Sequence, residues 1–444
     1  MIHFKKQFFN KTRIIVGSTA SAGARITTVV TMVLTTAIAT RVMTKEEFGL
    51  WAVILSLMSL WVNFDFGFRY GMGNRLAAMV AQAGGATNSN QREFFLSILF
   101  FEIEIALAGI IIFLLLVMFL SVTSILKITQ PDLITNINFL IFIILALLFL
   151  NNPTTLQGSG FFVYQEVNLA CFLTAMQSII LMLVFWITTW FLSFKWILIS
   201  YYFMFLLSGI ICSILFFKKR GWAFGWIPIR IQVRHVRSLS QRSMEFFVHS
   251  IASTIIANVS TILAGSVAGL SLAGDFDLVK KIFSLLITLH LALLAPLAPA
   301  YTQSAQLAKW DWVNQKLSFC LKKVWPLIFL GVGGLIYFFH PLILKLWTGR
   351  DLSDYLLAGL LALVAVLSGW GNTYSVVLNS LGLVKWQAVA SVVMAPLFIF
   401  LPLFMGKVWG LTGIASGTLI CMIPGTFIWP AYARYALKAK LLRV

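Results

Sequence analysis

The chain has 444 residues, of which 60% are hydrophobic and only 11% charged, and its mean hydropathy is +0.93. An ordinary soluble protein carries about 25% charged residues, so this composition excludes a soluble globular fold and points to an all-α integral membrane protein with many spans. Lys and Arg number 33 against 14 Asp and Glu, a net charge of +19; in a soluble chain that balance suggests nucleic acid, but in a membrane protein it is first an orientation signal.

A helix needs roughly 20 apolar residues to cross the hydrocarbon. Runs of that kind predict twelve spans, at 14–40, 48–66, 94–121, 138–157, 167–192, 196–217, 244–268, 278–303, 320–339, 354–379, 386–405 and 411–432. The basic start (Lys5, Lys6, Lys11, Arg13) precedes a run too long and too Thr-rich for a cleavable signal, and no small-residue cleavage site stands out.

In the first span, Arg25 lies mid-span between Ala24 and Ile26, and a guanidinium stays charged. A charge at a helix centre costs about 2.5–3.5 kcal/mol on insertion scales. Arg25 is therefore expected either to face a water-filled cavity that takes an anionic substrate group or to pair with an acid, for which Asp65 is the best candidate. The second span ends at Asp65 and runs on through Gly67, Phe68, Arg69, Tyr70, Gly71, Met72, Gly73, Asn74 and Arg75. This predicts a helix end that turns into an amphipathic segment on the cytoplasmic side. Arg69 and Arg75 there either meet phosphates or serve as ordinary positive-inside anchors. Glu102 and Glu104 lie about two turns into the third span and, at i and i+2, project to different faces. At most one is expected to face a shared cavity as a proton or cation site; a polar patch near the interface is the other reading.

The longest gap, 218–243, carries Lys218, Lys219, Arg220, Arg230, Arg234, Arg237 and Arg242 with no acid. It reads as a basic cytoplasmic linker between an N-terminal six-helix bundle, 1–217, and a C-terminal one, 244–444. Its charges suit either a tether to anionic lipid or a contact with an anionic substrate headgroup. Beyond it, Asp275-Phe276-Asp277 has the D-x-D form that binds metal and nucleotide-sugar in glycosyltransferases, but it falls in a short outer loop where no nucleotide-sugar pool is expected. Lys280 and Lys281 open the eighth span, to line a vestibule or to anchor the helix end. His249 lies near the start of the seventh span and His290 near the middle of the eighth. Either can gate or join proton coupling if it faces a cavity; a hydrogen-bonded interior histidine is the alternative. Pro153, Pro296, Pro299, Pro326, Pro396, Pro402 and Pro424 fall in spans, where proline kinks a helix.

Twelve spans put both termini on one side. The termini and even-numbered loops, with the lysines that open the ninth span, hold 23 basic residues, and the odd-numbered loops hold 9. That places both termini in the cytoplasm. Phe48 and Leu50 match Phe276 and Leu278 at an offset of 228, and Leu156 and Gly160 match Leu378 and Gly382 at 222. These matches are compatible with a parallel repeat of two six-span halves and a pathway between them. No Walker A sequence occurs, so the chain is not expected to hydrolyse ATP, and the loops are too short for a soluble catalytic domain. Cys171, Cys212, Cys320 and Cys421 lack the spacing of a zinc site or disulfide framework. No cofactor and no enzymatic activity are expected.

Four stretches carry a resemblance. They are Met43-Thr44-Lys45-Glu46-Glu47-Phe48-Gly49-Leu50-Trp51; Asp65-Phe66-Gly67-Phe68-Arg69 with Gly71, Asn74 and Arg75; Ile343-Leu344-Lys345-Leu346-Trp347-Thr348-Gly349; and Asn379-Ser380-Leu381-Gly382. With the 6 + 6 plan, they resemble the multidrug/oligosaccharidyl-lipid/polysaccharide exporter superfamily, and within it the polysaccharide transporter branch of Wzx-type flippases for O-antigen and related repeat units. The resemblance implies a MATE-like fold in the bacterial inner membrane. It implies movement of undecaprenyl-pyrophosphate-linked oligosaccharide from the cytoplasmic to the periplasmic leaflet. Membrane lipids and the polysaccharide polymerase machinery are the further partners; nucleic acid is not one. Arg25 is similar in place to a first-helix arginine of related lipid flippases and is the first candidate for the pyrophosphate. Arg69, Arg75, His290, His249 and Lys280 follow. H+, Na+ or the substrate gradient must drive the movement, and Asp65, Glu102 and Glu104 are the candidate ion carriers. Two rivals remain: an ion-coupled multidrug-type antiporter of the same superfamily, and a membrane polysaccharide polymerase or transferase.

Overall fold

A computed structural model describes residues 11–61, 67–83, 86–119, 126–128, 130–295, 297–381, 383 and 385–441. Among the described residues there is no strand. Contacts divide the chain into two compact units: Met1–Val42 with Leu57–Ile251, and Met43–Ser56 with Ala252–Val444.

In the first unit, α1 (Lys11–Val42) packs along α7 (Val167–Thr188), and α8 (Phe194–Arg220) packs on both α7 and α5 (Pro131–Asn151). In chain order α1 is followed by α2 (Lys45–Trp61), most of which belongs to the second unit, and then by α3 (Phe68–Gln82) and α4 (Ser89–Phe119) of the first. Local chemistry starts these helices. Thr44 and Glu47 cap each other's backbone N–H groups at 3.2 and 2.8 Å at the head of α2, and Asn88 and Gln91 do the same at the head of α4. Each pair satisfies two otherwise orphaned donors. Gly67 takes the left-handed conformation (φ 72°) before α3. On α3, Phe68, Met72, Leu76 and Val80 recur every four residues and are buried, while Asn74 and Arg75 face outward. This is the amphipathic segment that the sequence pattern predicts.

The fourth span is discontinuous. After α5, Asn152 leads into a 3₁₀ turn, Pro153–Thr155, and then α6 (Leu156–Val163). Proline denies the backbone bond that would continue α5. The gap is filled by side chains: Thr154 Oγ1 donates to Asn151 O at 2.7 Å, and Ser213 of α8 donates to Gln157 Oε1 at 3.3 Å. α8 approaches here only because residue 209 is glycine; a Cβ there would lie 2.2 Å from Thr154 Oγ1. At the other end of α8, Arg220 lies 3.8 Å over the Tyr164 ring and pairs with Glu166. Burial pushes the Tyr164 phenol up to about 12, so it remains the donor to Gln91 Oε1 at 2.8 Å.

Only 221–228 of the expected linker is non-helical; residues 229–243 are the opening turns of α9 (Ile229–Ala268). The helix persists because Ile231, Val236 and Leu239 pack on the Phe94–Phe95 core of α4.

The second unit holds α10 (Leu270–Leu294), α11 (Leu297–Gln306), α12 (Trp310–Phe319), α13 (Gly333–Thr348), α14 (Tyr355–Ser380) and α15 (Lys385–Leu441). Two π-helical stretches, Cys320–Val324 and Leu327–Val332, join α12 to α13 around Pro326, as insertions into the i→i−4 ladder do near proline. α15 is two helices that meet at Gly410 (φ 62°, ψ −138°). α14 packs on α10 and α15.

Nine helical stretches among the described residues are long and apolar enough to cross a membrane. They are fewer than the twelve expected spans for stated reasons. Lys385–Lys438 counts once although it bends at Gly410, α2 has 17 residues, and α10 carries Asp275, Asp277, Lys280 and Lys281.

Met43–Ser56 belongs to the second unit through a buried ionic cluster. Arg350 Nη1 bonds Asp275 Oδ1 at 3.0 Å, and Lys281 pairs with Asp277 one turn earlier. The Phe48 ring receives both cations, Arg350 at 4.8 Å and Lys281 at 5.6 Å from its centroid. Gly49 fits against the Leu270 carbonyl, where a Cβ would lie 1.7 Å from the oxygen.

Two stability outcomes follow, read as thermal melting of the purified protein in detergent. Gly49→Ala is expected to cost about 1–3 kcal/mol through overpacking, whereas Gly334→Ala, a helical site with open space around its Cβ, gains about 0.5–1 kcal/mol. Arg350→Ala strands the Asp275 carboxylate and is expected to cost about 3–5 kcal/mol, with Asp275→Asn in the same background recovering part of it.

Candidate functional site

The first unit presents a polar seam where α1 meets α7. On α1, Ser21, Arg25 and Thr28 recur at spacings of four and three, one helical face. On α7, Cys171, Thr174 and Ser178 do likewise. The two faces meet: the Thr28 and Ser178 hydroxyls share a hydrogen bond of 3.1 Å, and Ser21 and Arg25 both lie close to Cys171. Threonine hydroxyls along α1 are satisfied within the helix, as in Thr28 to Ala24 O and Thr35 to Thr31 O, which lets a polar face persist in an apolar helix. Arg25 itself is exposed, and among the described residues no acid pairs with it. A guanidinium without an acid partner among the described residues suits a phosphate or carboxylate approached in the plane. Asp65, its proposed structural partner, lies outside the described residues.

Other first-unit candidates are not gathered around Arg25. Glu102 is buried, 1% exposed. Glu104, two residues on, is exposed and accepts from Gln232 Nε2 of α9 at 2.9 Å. The two acids thus face different surroundings, as their spacing predicts. Arg69 is half-buried in the first turn of α3, and Arg75 is exposed two turns later.

In the second unit, Lys280 spends its three donors on α9, reaching Ala257 O at 2.9 Å, Ser260 Oγ at 3.0 Å and Thr261 Oγ1 at 3.3 Å. It is a tie between α9 and α10 in this state. His290 is fully buried (0% exposed), 2.9 Å from Thr373 Oγ1. Thr373 gives its own proton to Gly369 O at 2.9 Å, so His290 Nε2 is the donor to Thr373. Its Nδ1 is buried with no partner. His290 therefore pins α10 to α14. The His249 side chain lies outside the described residues.

Sequence reasoning missed the companions of Arg25, namely Ser21, Thr28, Thr174 and Ser178, although their three- and four-residue spacing is a readable signal. It also passed over Asp275 and Asp277 as a D-x-D triplet. The Asp277–Lys281 spacing of four was available as a helix ion-pair signal; the Asp275–Arg350 pair, 75 residues apart, was not.

Residues 14–304 match the model of a family described as polysaccharide biosynthesis protein. Among solved structures, an inward-facing multidrug resistance MATE family transporter of the MOP superfamily has a TM-score of 0.71 at 14% identity, covering 94% of this chain and 98% of its own. A MOP superfamily transporter from Pyrococcus furiosus, described as having a binding pocket of reverse polarity that suggests a different function, has a TM-score of 0.63 at 14% identity, covering 97% and 96%. An outward-facing MATE family transporter has a TM-score of 0.59 at 14% identity, covering 96% and 97%. At that identity they share the fold and no more. No curated protein matches the sequence. By the family match over well over half of its length, the chain belongs to the polysaccharide biosynthesis protein family, and its fold is similar to that of MATE transporters.

Proposed function

We propose that this protein is a flippase that moves undecaprenyl-pyrophosphate-linked oligosaccharide, an O-antigen or related repeat unit, from the cytoplasmic to the periplasmic leaflet of a bacterial inner membrane by alternating access. The observation that carries the reading is Arg25: a permanent cation on a membrane helix, exposed, unpaired among the described residues and flanked by hydroxyls. A pyrophosphate and its sugars cannot cross hydrocarbon, whereas the polyprenyl tail can stay in it. A guanidinium matches the pyrophosphate bidentately, and Thr28, Thr174 and Ser178 are of the kind that bonds sugar hydroxyls. Arg69 and Arg75 are the next candidates for the headgroup. Both termini lie in the cytoplasm in this reading, and the two halves, 1–217 and 244–444 joined by 218–243, exchange access. With no nucleotide-binding motif, an H+ or Na+ gradient or the substrate gradient supplies the drive. Of the three candidate carriers, Glu102 is favoured by its burial over Glu104, whose carboxylate is already bonded by Gln232. The polymerase machinery is the expected recipient of the product.

The multidrug-type antiporter is the second reading. Cationic drugs call for acids where this protein has Arg25, and the Pyrococcus furiosus relative is itself described in terms of reversed pocket polarity and a different function. That contrast supports an anionic substrate here.

Arg25→Ala is expected to lower flipping of a fluorescent lipid-linked oligosaccharide in proteoliposomes by about 10–100-fold, the worth of hydrogen bonds to a charged group, with melting temperature unchanged. Arg25→Lys retains the charge but not the fork and falls between. Undiminished flipping by a well-folded Arg25→Ala protein, or dye efflux with no lipid flipping, rules the proposal out. Glu102→Gln is expected to remove the dependence of transport on an imposed ion gradient while sparing Arg25-dependent binding. Retained gradient dependence in that variant assigns coupling elsewhere.

A further inference from the structure

The segment from Phe224 to Arg237 has two faces of opposite character. Taking Ile229 as zero and 100° per residue, Ile231, Gln232, His235, Val236 and Leu239 occupy one side of α9. That side is docked on the first unit. Gln232 bonds Glu104 at 2.9 Å, His235 Nε2 lies 3.3 Å from Glu93 Oε1, and the His235 ring sits edge-on to Phe94 at 5.3 Å. Upstream, Arg92 Nε donates to Ala223 O at 2.6 Å, and Phe100 packs against Phe224 and Trp226. The segment is therefore held rigidly along α4.

The opposite side has no cover among the described residues. Trp226 is 80% exposed, Phe224 and Ile229 65%, and Val233 58%. Arg230, Arg234 and Arg237 are exposed on the flank of the same face, and residues 218–243 contain no acid. An apolar ridge beside a row of guanidinium groups matches a bilayer interface. The ridge enters the acyl boundary, and the arginines reach the phosphate layer. A protein partner would need a complementary acidic surface and would leave the aromatic ridge without lipid in a chain whose neighbouring helices span a membrane.

We infer that Phe224–Arg237 is a fixed docking surface for anionic phospholipid headgroups of the leaflet it faces, with Arg230 and Arg234 as the headgroup contacts and Trp226 as the apolar anchor. The inference is independent of what the protein transports. Rigid attachment to α4 through Gln232 and His235 means that lipid held here is held against the first unit.

The test uses the full chain in bilayers of phosphatidylcholine mixed with phosphatidylglycerol, with brominated acyl chains on one lipid and then on the other. The Trp226 signal is the difference in fluorescence between wild type and Trp226→Phe. Brominated phosphatidylglycerol is expected to quench it more strongly than brominated phosphatidylcholine. The preference is expected to fall by about five-fold for each of Arg230→Gln and Arg234→Gln, and to shrink in the wild type as salt is raised. Equal quenching by both lipids, an undiminished preference in the double variant, or no quenching of Trp226 by either lipid overturns it.

Discussion

In a span there is no water to hydrate a stray charge or an idle backbone group, so each must find its partner within the chain. Most of the polar chemistry described above is a response to that constraint. Threonines of α1 bond back to carbonyls one turn earlier. Lys280 distributes three donors over α9. Asp277 and Lys281 neutralise each other within α10, and Asp275 pairs with Arg350, just past the end of α13. His290 commits its Nε2 proton to Thr373. Arg25 is conspicuous because it does not follow suit. An exposed cation on a membrane helix is costly, and among the described residues no acid offsets it.

The ionic cluster at Phe48 shows the same constraint shaping architecture. Two cations face one aromatic ring, an arrangement worth about 0.5–2 kcal/mol per contact when desolvated, and each cation is also matched by its own aspartate. Gly49 completes the fit by letting backbone meet backbone at Leu270. The motif that carries part of the family resemblance is thus a packing motif. α2 starts in one compact unit and continues into the other, as α9 does.

The opening turns of α9 illustrate how one stretch of sequence serves two solvents. Its docked face bonds Glu93 in the first turns of α4 and Glu104 at its middle, and its other face offers arginines outward. Read along the chain, the seven basic residues of 218–243 look like a loop. Their helical spacing shows only once Ile231, Val236 and Leu239 are seen to share a buried side.

Composition alone determined that this is a helical membrane protein, because 60% apolar residues have no stable place in water. Apolar run lengths located most of the helices, since span length is set by bilayer thickness. Short motifs pointed to the family, and the isolation of Arg25 was legible because charge is so scarce. Tertiary structure decided the rest. It decided that Lys280 and His290 tie helices together, that Glu102 is buried while Glu104 is bonded, and that Arg25 lies beside Cys171 of α7. It also decided that Met43–Ser56 packs with the C-terminal unit. Each of these depends on which side chain of a distant helix lies opposite. One-dimensional hydropathy carries the cost of leaving the membrane but not the identity of the partner across it.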